Sequence, residues 1–141
     1  MRIADLYCGV GTFTLPLADA GADVVAVESA GPAVRDLRRN LEDNQLWADC
    51  VGGDAMRELS GLGPLDGLVV DPPRAGLADG VAQLIAQAAP ARMAYISCDA
   101  GTWARDVARL AACGYRLERA VPVDLFPQTH HCEVASFFVR A

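Results

Sequence analysis

One cysteine, two carboxylates and a proline-stiffened loop are the residues of this sequence best suited to chemistry. Cys98 stands in Ser97-Cys98-Asp99, after a β-rich run and just before a helix expected from Thr102. A thiol near a helix N-terminus has its thiolate favoured by the helix dipole, which would make Cys98 a nucleophile. The competing reading is an inert packing cysteine. Asp71-Pro72-Pro73-Arg74 ends another β-rich run. Its two prolines fix the backbone and remove two donors, so the loop is stiff and its carbonyls are offered to something outside their own turn. Glu133 opens the apolar run Val134, Ala135, Phe137, Phe138, Val139, an unusual place for a carboxylate without work or a partner. His130 and His131 adjoin it, but neighbours on an extended segment point to opposite faces, so a shared metal ion is not expected.

These residues need a frame, and the chain spells one out by alternating β-rich runs with amphipathic stretches. Strands are expected over 3–7, 23–28, 50–53, 65–71 and 93–97. Between them lie a helix through Leu15, Leu17 and Ala18 closed at Gly21, and a helix opened by Pro32 that buries Val34, Leu37 and Leu41. A further helix capped by Asp79 carries Val81, Leu84, Ile85 and Ala88, and the one from Thr102 turns Val107, Leu110 and Ala111 inward before Gly114. Residues 115–124 and 133–140 are two β-like segments with no helix between them, which implies an antiparallel strand near the C-terminus. The expectation is an α/β fold: a doubly wound, Rossmann-like parallel sheet with helices on both faces.

In such sheets ligands bind beyond the carboxyl ends of the strands, near the switch in strand order. Three segments fall there: the Gly9/Gly11 turn, Glu28 and Asp71. Glycines let backbone N–H groups approach a ligand, and an acidic residue ending the second strand can accept bonds from ribose hydroxyls. A nicotinamide dinucleotide fits only in part. Thr14 stands where the third glycine of G-x-G-x-x-G belongs, and Asp5 would face the pyrophosphate. S-adenosylmethionine fits better, because its sulfonium and amino groups are cationic and tolerate nearby carboxylates. Against this stands the plain alternative that Glu28 merely ends a strand in solvent. Arg74 occupies the place held by an aromatic residue in methyltransferases that act on base amino groups, where the ring stacks on the target, so that reading loses its stacking group. Either Arg74 holds a target or its phosphate, or it pairs with a nearby carboxylate.

Composition sets the outer bounds. The 141 residues are 52% hydrophobic and 21% charged, with a net charge of -6. That suits one domain, burying roughly two-thirds of its unfolded surface, and excludes a disordered chain. No apolar run approaches the length of a membrane span, and no secretory signal is expected at the N-terminus. Five irregularly spaced cysteines do not make a disulfide framework or a zinc site, so a reducing, cytoplasmic setting is expected. All 12 basic residues are arginine, and so acidic a chain does not advertise a nucleic-acid surface.

Four segments, DLYCGVGTFTLPLA (5–18), DPPRAGL (71–77), YISCDAGTWARD (95–106) and DLFPQTHHCEV (124–134), together resemble the uracil-5 RNA methyltransferases, which use S-adenosyl-L-methionine. The resemblance runs through nearly the whole chain. It implies transfer of a methyl group to C5 of a uridine in tRNA or rRNA, with Cys98 as nucleophile and Glu133 as base. It places cofactor contacts at Tyr7, Thr12, Glu28, Asp54 and Asp71, beside the Gly9/Gly11 turn, and target contacts at Asp71 and Arg74. Two departures stand out. Asp99-Ala100 replaces the family's Asn-Pro after the cysteine, and Thr12 replaces a common asparagine. A carboxylate beside the nucleophile opposes thiolate formation unless it is paired. The family's RNA-binding and central regions have no counterpart in these residues, so a single catalytic domain over 1–141 is expected. Methylation of a base amino group or a small molecule, and a cofactor-binding fragment inactive on its own, are the alternatives.

Overall fold

The computed structural model describes residues 1–123 and 133–141. His130 and His131, for which no shared metal ion is expected, and the segment 124–132 that contains them lie outside the described residues. The chain forms β1 (Arg2–Leu6), α1 (Thr14–Asp19), β2 (Asp23–Glu28), α2 (Gly31–Asp43), β3 (Asp49–Gly52), α3 (Ala55–Glu58), β4 (Gly67–Val70), α4 (Val81–Ala88), β5 (Arg92–Ser97), α5 (Ala100–Ala112), β6 (Tyr115–Val123) and β7 (Glu133–Arg140). They build one seven-stranded sheet in the order β3-β2-β1-β4-β5-β7-β6. β1 to β5 pair in parallel, and β7 lies antiparallel between β5 and β6. The expected doubly wound sheet with a closing antiparallel strand is therefore present. Its switch in strand order falls between β1 and β4, with β2 and β3 running out to one side and β5 to the other.

The strands are β-branched and apolar because most are enclosed. In β2, Val24 to Val27 are all buried, as a parallel strand covered on both faces requires. Ala4, Leu6, Leu68, Val70, Met93, Tyr95 and Phe138 form the main core with Leu77, Ile85 and Leu110 of the following loops and helices. A second, smaller core lies under α2, where Leu37 and Leu41 pack with Val24 and Ala26. Burying one such leucine or phenylalanine contributes roughly 1.5–3 kcal/mol. Toward β4, β5 and β7 that second side thins out. Val69 and Ala94 are only partly covered, and Phe137 is exposed; with Ile3 they line an open groove of about 390 Å³.

Three local expectations need correction. Asp79 does not cap α4: the cap position is Gly80 and makes no side-chain bond, because the Asp79 carboxylate instead accepts from Arg109 at 3.1 Å. α5 begins at Ala100, not Thr102, because Asp99 caps it by accepting from the Thr102 N–H at 2.9 Å. Ala111 faces solvent, and the buried positions of α5 are Asp106 and Leu110. The short α3 was not expected, since four residues carry no readable period.

Candidate active site

At the carboxyl end of the sheet, the chain leaves each strand into a loop carrying a candidate residue. On the β1 side, Tyr7 takes a positive φ of 59° and the Gly9 turn follows. The Gly11 N–H closes this turn onto the Cys8 carbonyl at 3.0 Å. A side-chain carbon added at Gly9 would meet nothing within 4 Å, so the backbone there faces open space. Glu28, ending β2, braces the turn: its carboxylate accepts from the Gly9 N–H at 3.0 Å and the Ala30 N–H at 2.8 Å. The strand end is thus half-buried and engaged, not idle in solvent. Asp54 follows β3, exposed, and caps α3 by accepting from the Met56 N–H at 3.4 Å. Thr12 is exposed beside the turn.

A carboxylate passed over as a site residue sits beneath this turn. Asp5 is wholly buried in β1, where it accepts from the Thr14 hydroxyl at 2.6 Å. Its other oxygen, Oδ1, has no hydrogen-bond partner among the described residues. Burial pushes the Asp5 carboxyl up to about 6, the Thr14 bond opposing and the nearby Asp71 charge adding to it. Burial also raises the Tyr7 phenol, with the charges of Asp54 and Asp106 adding to that shift. The same burial, with Asp5 and Glu28 close by, pushes the Cys8 thiol up to about 12, which leaves it a packing cysteine of the turn.

The second half of the site gathers the ends of β4, β5 and β7. Val70, the last residue of β4, pairs with Tyr95, and β5 runs two residues further to Ser97, which pairs with Val134 of β7. One more step along each strand brings Cys98 and Glu133 to the same edge. Asp71 belongs to this group: its carboxyl is raised first by the surrounding protein and then by the Glu133 charge. Cys98 is exposed and makes no disulfide with another described cysteine, which leaves its thiol accessible to a substrate. Asp99, the unexpected carboxylate next to it, is committed elsewhere. It caps α5, and its Oδ2 lies 3.9 Å from Arg74 Nε. Bonds from Thr102 above all, with help from Arg74, hold the Asp99 carboxyl below its ordinary range. Its charge is therefore partly answered before it reaches Cys98. Arg74 itself stays largely exposed, so the two readings of its role are compatible.

The donor set suits a cationic adenosyl ligand. Glu28 braces the open glycine turn, Asp54 and Asp71 follow the neighbouring strands at the same end of the sheet, and the buried Asp5 keeps one oxygen without a partner among the described residues. Such a site would receive ammonium, sulfonium and ribose hydroxyls and would repel a pyrophosphate. Among the described residues, no helix is long and apolar enough to cross a membrane.

Comparison with known proteins bears on the family and the fold. Residues 64–141 match the family model described as tRNA (Uracil-5-)-methyltransferase, and residues 1–94 match that of the methyltransferase small domain. The chain is 43% identical over 145 residues to the 23S rRNA (uracil(1939)-C(5))-methyltransferase RlmD of Thiobacillus denitrificans, covering 99% of this chain and 34% of that protein. It is 42% identical to the same enzyme of Shewanella sp. (strain W3-18-1), covering 97% of this chain and 31% of that protein. Among solved structures, the Pyrococcus abyssi tRNA (uracil-54, C5)-methyltransferase in complex with S-adenosyl-L-homocysteine superposes with a TM-score of 0.89 at 38% identity, over 97% of this chain and 34% of that one. A putative RNA methyltransferase of Pyrococcus horikoshii, at 17% identity and a TM-score of 0.73, shares the fold over 99% of this chain and 74% of that one. The chain spans about a third of the length of the curated relatives it matches.

Proposed function

This chain belongs to the tRNA (uracil-5-)-methyltransferase family, and on that footing we propose that it transfers a methyl group from S-adenosylmethionine to C5 of a uridine in RNA. It would act as the methyl-transferring domain of a longer protein. The observation that carries this reading is the meeting of Cys98, Glu133 and Asp71 at the ends of β5, β7 and β4.

Uracil C5 is too weak a nucleophile to take a methyl group unaided. In the proposed mechanism the Cys98 thiolate adds to C6, and the electrons of the C5–C6 double bond move to C5 and the neighbouring carbonyl. S-adenosylmethionine supplies an electrophilic methyl group on a sulfonium, which departs as a neutral thioether. C5 then carries both its proton and the methyl group. The Glu133 carboxylate takes that proton, the double bond re-forms, and the bond from C6 to Sγ breaks to return Cys98 as thiolate. Glu28 is assigned to the adenosine ribose and Tyr7, Gly9, Gly11, Thr12 and Asp54 to the rest of the donor, Asp71 to donor and target together, and Arg74 to the target. A base within a helix cannot reach this edge, so the target uridine must be unpaired or flipped out.

The reading is tested by RNA containing 5-fluorouridine. Fluorine at C5 cannot leave as a proton, so the covalent adduct stalls and travels with the protein in a denaturing gel. The wild-type chain should form it in the presence of S-adenosylmethionine, and Cys98→Ala should not. Methyl transfer by Cys98→Ala at the wild-type rate would overturn the covalent route.

A further inference from the structure

A second polar network centred on a buried carboxylate lies not at the reacting edge but behind it. Asp106 of α5 is wholly buried, and its Oδ2 accepts from the Leu77 N–H at 2.9 Å and the Tyr95 hydroxyl at 2.5 Å. Its Oδ1 faces two guanidiniums, Arg105 at 3.3 Å and Arg109 at 3.7 Å. Those arginines reach past Asp106 to the same loop. Arg105 donates to the Ala75 carbonyl at 2.7 Å, and Arg109 donates to the Leu77 carbonyl at 3.2 Å. Contact is so close that at Gly76, where φ is +79°, an added side-chain carbon would lie 2.2 Å from Thr102 Cγ2 and 2.5 Å from Asp106 Oδ2. Glycine at 76 is what lets the loop lie flat on the helix.

The loop so fastened, 71–77, begins with Asp71 and includes Arg74. The helix that holds it starts two residues after Cys98. A buried carboxylate with four donors around it costs more to desolvate than an apolar side chain there would, so such a network is weak evidence for stability alone. Its geometry suits registration: it couples a proline-stiffened loop to the helix beside the thiol. We propose that Asp106, working through Leu77 and seconded by Arg105, is the positioning residue that sets Asp71 and Arg74 at their working distance from Cys98. α5 is fastened to the strand of Glu133 separately, through the Trp103 indole N–H donating to Ser136 Oγ at 3.1 Å. One helix thereby aligns all three chemical segments. The role in alignment rests on the methyl-transfer reading above, but the fastening itself does not.

The test separates the two. Hydrogen exchange of the unliganded chain is followed at the Gly76 and Leu77 amides and, for reference, in β1 and β4, for wild type, Arg105→Ala, Asp106→Asn and Ser136→Ala. Arg105 is partly exposed, its loss takes no apolar side chain from the core, and Arg109 still faces Asp106 in the variant. Arg105→Ala and Asp106→Asn should speed exchange at Leu77 at least tenfold with the reference strands within twofold, while Ser136→Ala leaves Leu77 within twofold. Unchanged exchange at Leu77 in both loop variants, or equal acceleration everywhere, would overturn the fastening. Methyl transfer supplies the second arm: Arg105→Ala should lower kcat at least tenfold, a larger change than any rise in KM for S-adenosylmethionine. A wild-type kcat with a loosened loop would overturn the positioning role. A wild-type chain that transfers no methyl group counts against the reading of function, and the exchange arm still decides the fastening.

Discussion

Asp5→Asn removes a carboxyl that the fold holds near 6, against an ordinary 3.8. In the unfolded chain this group gives up its proton near the lower value, and in the folded chain near the higher one. Between the two the native state binds more protons, so stability falls as pH rises through that window and is level above it. A displacement of about two pH units corresponds to about 3 kcal/mol, at 1.36 kcal/mol per unit. About 2 kcal/mol of that falls between pH 4.5 and 7, where urea denaturation is practicable. The asparagine carbonyl can still accept from the Thr14 hydroxyl and does not ionise, so the variant lacks this pH dependence. Wild type minus variant should therefore become less favourable by about 2 kcal/mol across that range, the other titrating groups cancelling in the difference. Asp71→Asn should narrow the effect, since the Asp71 charge is one of its causes. Two denaturation curves that stay parallel from pH 4.5 to 7 would refute the reasoning, because they would mean that Asp5 is hydrated in the folded protein.

Two further outcomes follow from the same site. Iodoacetamide at neutral pH should modify Cys98 ahead of Cys8, whose buried thiol is pushed up to about 12; peptide mass spectrometry that finds Cys8 modified first would contradict the assigned environments. Gly9→Ala places a side chain in a left-handed position with open space beyond it, so calorimetry should show a loss of only about 1–2 kcal/mol. Affinity for S-adenosylhomocysteine should fall at least tenfold, and retained affinity would remove the turn from the donor site.

Much of this arrangement could be read before the structure was seen, wherever one element answers to a local pattern. The stripe of Val34, Leu37 and Leu41 locates α2, and the run of 23–28 is strand β2 to the residue. What escaped depends on partners far along the chain. Asp79 looks like a helix cap until Arg109 competes for its carboxylate. Asp106 lies within the inward stripe of α5, between Trp103 and Leu110, and a carboxylate on that stripe was the available signal. Its meaning depends on Leu77 and Tyr95, which are 29 and 11 residues away. Asp99 was legible as a departure from the family pattern but not as a cap, because its role required knowing that α5 begins one residue later. Asp5 reads in the sequence only as a charge near the glycine turn, since burial on both faces of β1 follows from the helices that cover the sheet and not from the strand's own letters.

The open groove along Ile3, Val69, Ala94 and Phe137 has a practical bearing on every one of these measurements. Apolar surface draws molecules together more strongly as sulfate is added and less strongly as the solution is cooled. Contacts with RNA phosphates respond the other way and loosen as salt rises. Clumping of the chain and the proposed binding of RNA would thus carry opposite signatures, and a single titration with ammonium sulfate tells a turbid sample from a bound one.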